Sequence, residues 1–266
     1  MTPALRSGMS TKPLAQQVVT GADGAESATA SRGAARPRES LFHLCGTADT
    51  IRQTPKRDDK RALLEPYFGA LDANTIGSAV RILAGALFVP LKPGAPVTAS
   101  ADTAPSDAPG DAAPSEAAPV PVSRTLVVTA IRGLTRVSAE RLLDLAMKLG
   151  DLGDVAGEVF SGRLPSGVSV REAEDQIREV VTAADSDTVR LPLVRDVLAK
   201  LSGIEAQYVV RLICGDLGIG LDQSLVEEAL ANTFNEPVAA VRQAIERHGD
   251  IGIAAELTRR HALEGR

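Results

Sequence analysis

Apolar residues in this chain recur at three- and four-residue intervals and then stop at a glycine. Leu142, Leu143, Leu145, Ala146 and Leu149 run into Gly150, and Ile204, Tyr208, Val209, Leu212 and Ile213 run into Gly215. Such spacing gathers each set on one side of an α-helix, and a glycine past the last turn accepts the left-handed backbone that ends it. Further stripes run through 76–87, 173–184, 189–201, 225–234 and 238–245. Ser169-Val-Arg-Glu172 reads as a capping box ahead of one of them. Strand-like alternation is nearly absent. Thr125 to Thr129 is β-prone, but Ile131 and Leu134 extend it better as a helix. The expectation is an all-α, compact domain of ten to twelve short helices. Pro66, inside the stripe at 59–71, is expected to kink or split its helix.

Two segments stand outside this pattern. Residues 1–38 are rich in Ala, Gly, Ser and Thr with no apolar period, and read as a disordered tail. Residues 92–123 are dense in Pro and Ala and poor in large apolar side chains, and read as a disordered, solvated insertion. One helical domain, 40–91 together with 124–262, remains. With 44% hydrophobic residues and a net charge of −5 over 266 residues, the chain has enough apolar surface for a core. No run approaches the ~18 uncharged apolar residues of a membrane span, and the first residues lack the apolar region of a secretory signal. A cytoplasmic protein with no membrane partner is expected. Cys45 and Cys214 are the only cysteines and there are three histidines, too few for a convincing zinc set. No Trp, two Tyr and five Phe argue against modules that stack bases on aromatic platforms.

The chain also echoes itself. Gly150-Asp-Leu-Gly-Asp-Val-Ala156 and Gly249-Asp-Ile-Gly-Ile-Ala-Ala255 lie 99 positions apart, each after a stripe. Gly ends one helix and Asp caps the next, which predicts two tight corners in two related helical lobes. Enzyme constellations are missing: there is no P-loop, no dinucleotide fingerprint and no Gly-x-Ser-x-Gly. Glu172, Glu174, Asp175 and Glu179 read as a solvated face, and Lys148 as a cation complementing a helix C-terminus. Corners whose amides point outward can hold phosphates. That nominates Gly150, Asp151, Gly153, Gly249 and Gly252, together with Gly215, Gly218 and Gly220 of the Gly215-Asp-Leu-Gly-Ile-Gly220 turn. Arg195, Lys200 and Arg211, with Arg132, Arg136 and Arg163, are the candidate counter-charges. Residues 124–266 nonetheless carry 17 basic and 22 acidic side chains, an unusual balance for a duplex binder.

Glu205-Ala-Gln-Tyr-Val-Val-Arg-Leu-Ile-Cys-Gly-Asp-Leu-Gly-Ile-Gly-Leu221 resembles the signature of the N-terminal DNA-binding domain of ATP-dependent DNA ligases, E-A-K-Y-x-x-R-x-I-x-G-x-L-R-I-G-L. The Gly150–Ala156 corner is similar to that family's G-D-L-G-D-V-A turn. Lys60, Leu63, Leu64 and Phe68, then Ala79-Val-Arg-Ile-Leu-Ala-Gly85, are similar to its first helices. The resemblance implies an all-helical domain with pseudo-twofold lobes, lying on the minor groove of nicked double-stranded DNA. Two positions depart from the pattern: Gly218 stands where the family has Arg, and Gln207 where it has Lys. The adenylation lysine of K-x-D-G is missing; Lys56-Arg-Asp-Asp comes nearest. The resemblance therefore implies no cofactor in this chain, with ATP and Mg entering only through a separate catalytic domain. A separately encoded ligase catalytic chain is the implied protein partner, and whether this chain is itself an enzyme stays open. The alternative is a helical protein-interaction scaffold that no longer binds DNA.

Overall fold

The computed structural model describes residues 37–88 and 119–263. Twelve α-helices make up these residues: α1 (Leu41–Gln53), α2 (Arg57–Ala70), α3 (Ile76–Leu83), α4 (Arg124–Leu134), α5 (Ala139–Leu149), α6 (Leu152–Val159), α7 (Val170–Thr182), α8 (Asp187–Lys200), α9 (Gly203–Ile213), α10 (Gln223–Phe234), α11 (Val238–His248) and α12 (Ile251–Arg259). Among the described residues there is no strand, only an isolated bridge between Ser40 and Ser169. The fold is all-α. No helix among them is long and apolar enough to cross a membrane. Most of the segments read as a tail and an insertion lies outside the described residues. Residues 119–123 are docked, with Val120 N–H on the Val181 carbonyl and Val122 N–H on that of Ile213.

Local chemistry starts and stops these helices. Ser40, Ser123, Ser138, Asp151, Ser169, Asp222 and Asp250 each accept the amide three residues on, satisfying a donor the helix cannot. Only half of the expected Ser169 box forms, because the Glu172 carboxylate turns to Gln176. The complete box is at Ser202–Glu205. Glu205 is fully buried and also takes the amide and hydroxyl of Ser166, which ties the α6–α7 loop to the start of α9. Pro66 does not split α2, which runs unbroken past it. Pro66 and Ala62 are both exposed, so the carbonyl that loses its amide partner faces water.

Ser40 and Ser169, the paired caps, open two halves of six helices each. The halves interlace: α2 packs on α10 and α3 on α12, while α8 packs on α4 and α9 on α6. Each lobe is therefore built from both halves. Arg81 in α3 and Arg211 in α9 occupy matching places, each four residues ahead of a positive-φ glycine, Gly85 and Gly215. These arginines are 130 positions apart and the corners 99, a difference of 31 that nearly equals the Pro-rich stretch between α3 and α4.

Candidate functional site

The α5–α6 corner is set by its own residues. Gly150 turns left-handed at φ 71° and its N–H reaches the Ala146 carbonyl at 2.9 Å. Asp151 then caps α6 through the Asp154 amide, also at 2.9 Å. Gly153 lets α9 come close: a Cβ there would stand 2.6 Å from the Gln207 carbonyl oxygen. Arg211 of α9 bonds Asp151 at 2.9 Å and Asp154 at 2.7 Å. Burial alone would raise the Asp151 carboxyl, but the Asp154 amide and Arg211 outweigh it and hold it below the usual range. The α11–α12 corner repeats the device, with Gly249 at φ 66°, Asp250 capping through Ile253, and Arg81 Nε on both Asp250 oxygens at 3.0 Å.

Several nominated residues are thus placed inward. Arg211 is 5% exposed and its charge is taken by two aspartates, so it joins helices and is not presented to an outside anion. Gly153 and Gly252 are buried at helix crossings. Gln207, which stands where the resembled family has Lys, donates to Asp154 within the α6–α9 contact. Glu174 is a further correction: it is 6% exposed, not solvated, because α7 packs its side against α3, where it meets Arg81 and Arg178. Arg163 is exposed but occupied, donating to the Leu198, Ala199 and Leu201 carbonyls that end α8.

The turn after α9 is exposed at Gly215, Gly218 and Gly220, all with positive φ. Asp216 accepts the Gly218 amide, and Lys60 donates to the Ile219 and Gly220 carbonyls at 2.7 and 2.8 Å, fixing the turn on α2. Burial pushes the nearby Cys214 thiol up to about 11, which keeps it protonated at neutral pH.

Beside the α5–α6 corner lies a cleft of about 440 Å³ under α4. Arg124, Arg132, Thr125 and Thr129 of α4 give it a polar lining, Val128, Ala146 and Leu152 an apolar one, and Gly150 and Asp151 of the corner complete it. Arg195 reaches α4 from α8, its guanidinium so close to Gly133 that a Cβ there would lie 2.7 Å from Cζ. Arg124, Arg132, Arg136 and Lys200 are exposed and make no ion pair among the described residues. Arg124 was not among the nominated residues, though the sequence carries a signal for it. Residues 117–139 hold three arginines and no carboxylate.

Residues 116–231 match the family described as DNA ligase N terminus. These residues are similar to the N-terminal domain of DNA ligases. A probable DNA ligase of Opitutus terrae is 26% identical over 259 residues, covering 85% of this chain and 23% of its own length. A probable DNA ligase of Koribacter versatilis is 32% identical, over 49% of this chain and 23% of its own. For a DNA ligase of Pyrobaculum islandicum the figures are 30%, 54% and 26%. The chain spans about a quarter of the length of these curated relatives. The matched residues include α4, the cleft, the α5–α6 corner and Arg211, and stop within α10.

Proposed function

We propose that this domain is a ligase DNA-binding module that grips nicked duplex through its phosphate backbone and minor groove, supporting nick sealing by a catalytic domain. The observation that carries the reading is that Arg124 and Arg132 of α4, which make no ion pair among the described residues, stand beside an open corner, in a domain matched to DNA ligases. Arg124 and Arg132 are eight residues apart, about 12 Å along the helix at 1.5 Å per residue. They stand over the first turn of α6, whose leading amides have no partner within the helix. The overall acidity is no obstacle, because the acids collect elsewhere: α10 carries Glu227 and Glu228 and no cation. In this reading ATP and Mg are handled by the catalytic domain, and the chain's own residues supply grip alone.

Fluorescence anisotropy with a labelled nicked duplex and its intact counterpart, across about 50 to 200 mM salt, tests the proposal. Binding to both is expected, weakening by about tenfold or more over that range, since each phosphate contact adds ~0.9 to the salt slope. No binding at the lowest salt would overturn it. The interaction-scaffold reading would then lead, and the exposed Leu143 and Met147 on α5, at 62% and 71%, would be the place to look.

A further inference from the structure

We propose that the cleft between α4 and the α5–α6 corner seats one sugar-phosphate unit of a single DNA strand, and that the sister lobe has lost this seat, so the domain holds duplex with one lobe. This rests on the DNA-binding reading above.

The two lobes share a backbone plan, so the same place can be inspected in each. Counting from Gly150 and Gly249, Arg124 corresponds to Gln223, Val128 to Glu227, Arg132 to Ala231 and Ala146 to Ile245. Both guanidiniums of the cleft are therefore missing from the sister lobe, and an apolar lining position there carries a carboxylate. The arginines beside those positions are spent. Arg57 bonds Glu228 and Asp222, and Arg242 bonds Glu227 at 2.8 Å. The swap reaches the neighbouring helices too: Arg195 lies on Gly133 of α4, whereas its counterpart Glu65 accepts from Asn232 of α10.

Shape divides the lobes in the same way. Ile245 is 8% exposed and fills the space over its corner, whereas Ala146 is exposed and leaves the cleft open. What remains is a cleft that offers the apolar Val128, Ala146 and Leu152, the hydroxyls of Thr125 and Thr129, and two guanidiniums. That matches a deoxyribose, apolar on its carbon face, with a phosphate on either side. Asp151 at the cleft's end does not repel an anion, since Arg211 already neutralises it. In the sister lobe Arg242 and Arg57 are held by Glu227 and Glu228, which leaves neither guanidinium free for a phosphate.

The sister lobe supplies the test. In the full chain, Ala146→Ile introduces its residue, closing the cleft without changing any charge. Binding of the nicked duplex at ~100 mM salt is expected to weaken at least about tenfold. Arg124→Ala and Arg132→Ala should each lower the salt slope by about 1, whereas Arg57→Ala and Arg242→Ala should leave it unchanged. Helical circular dichroism and Tm check that Ala146→Ile is folded; if it is not, the two surface arginine variants decide alone. Wild-type binding that survives both Ala146→Ile and the two arginine substitutions overturns the seat while leaving the DNA-binding reading intact. Loss of slope in Arg57→Ala or Arg242→Ala equal to that in the α4 variants overturns the one-lobed grip. Failure of the wild type to bind at low salt removes both proposals.

Discussion

Arg81 and Arg211 do the same job in the two halves but are held in different ways. Arg81 bridges two carboxylates, Asp250 and Glu174, whose side chains are each only 7% exposed. Arg211 meets Asp151 and Asp154, which keep 44% and 20% of their side-chain surface. Counted from the caps Ser40 and Ser169, the place of Glu174 is taken by Cys45 in the other half. Arg211 Nη1 is accordingly buried without a hydrogen-bond partner. The crossing of a corner with an arginine helix is thus preserved while its electrostatics have drifted. Where the device is dry, breaking it should be costly; where it is wetter, its partners have somewhere to turn.

Removing the dry arginine is the most severe way to test that contrast. Arg81→Met strands the buried Asp250 and leaves Glu174 to Arg178 alone, and should cost about 3–5 kcal/mol in urea unfolding. Next comes backbone contact. Gly153→Ala drives a Cβ against the Gln207 carbonyl and should cost about 2–3 kcal/mol, an overpacking that cannot relax by turning a side chain. Arg211→Met should be milder, about 1–2 kcal/mol, because Asp154 keeps Arg52 at 3.1 Å and Gln207 at 2.8 Å while Asp151 reaches water. A loss from Arg211→Met equal to that from Arg81→Met would erase the distinction.

The smallest effect is one of pH. Asp151 is held below its ordinary value of 3.8 when folded, so its contribution is complete above that value. It is lost as pH falls through the lower folded value, because the unfolded chain then binds the proton first. Asp151→Asn should therefore start less stable at neutral pH and lose less than the wild type between about pH 5 and 3. Equal acid sensitivity in the two proteins would show that the corner owes nothing to that charge.

What was legible in the sequence was local. Gly150, Asp151, Gly249 and Asp250 announce their corners because capping and left-handed turns depend on neighbours a few residues away. The 124–134 helix was legible too, since Ile131 and Leu134 continue its spacing. What faces each helix was not. Glu174 looks like its solvated neighbours until α3 arrives from 93 residues earlier with Arg81. Arg211 resembles a surface cation until Asp151 meets it from 60 residues earlier. The likeness of α3 to α9 was hidden for a different reason: the Pro-rich stretch changes the repeat distance partway through each half, so no single offset reveals it. Arg124 does not stand out in the net charge of residues 124–266, which averages the basic α4 with the acidic α10.

The interlacing of the halves also governs how the chain can come into being. Arg81 must wait for Asp250, 169 residues later, and α3 for α12. At ordinary rates of translation that interval is on the order of ten to thirty seconds. During it the apolar stripe of α3 has left the ribosome without α12 to cover it. Folding cannot proceed half by half from the N-terminus, and a message cut short before α12 yields a chain with the core of one lobe incomplete and a need for a chaperone.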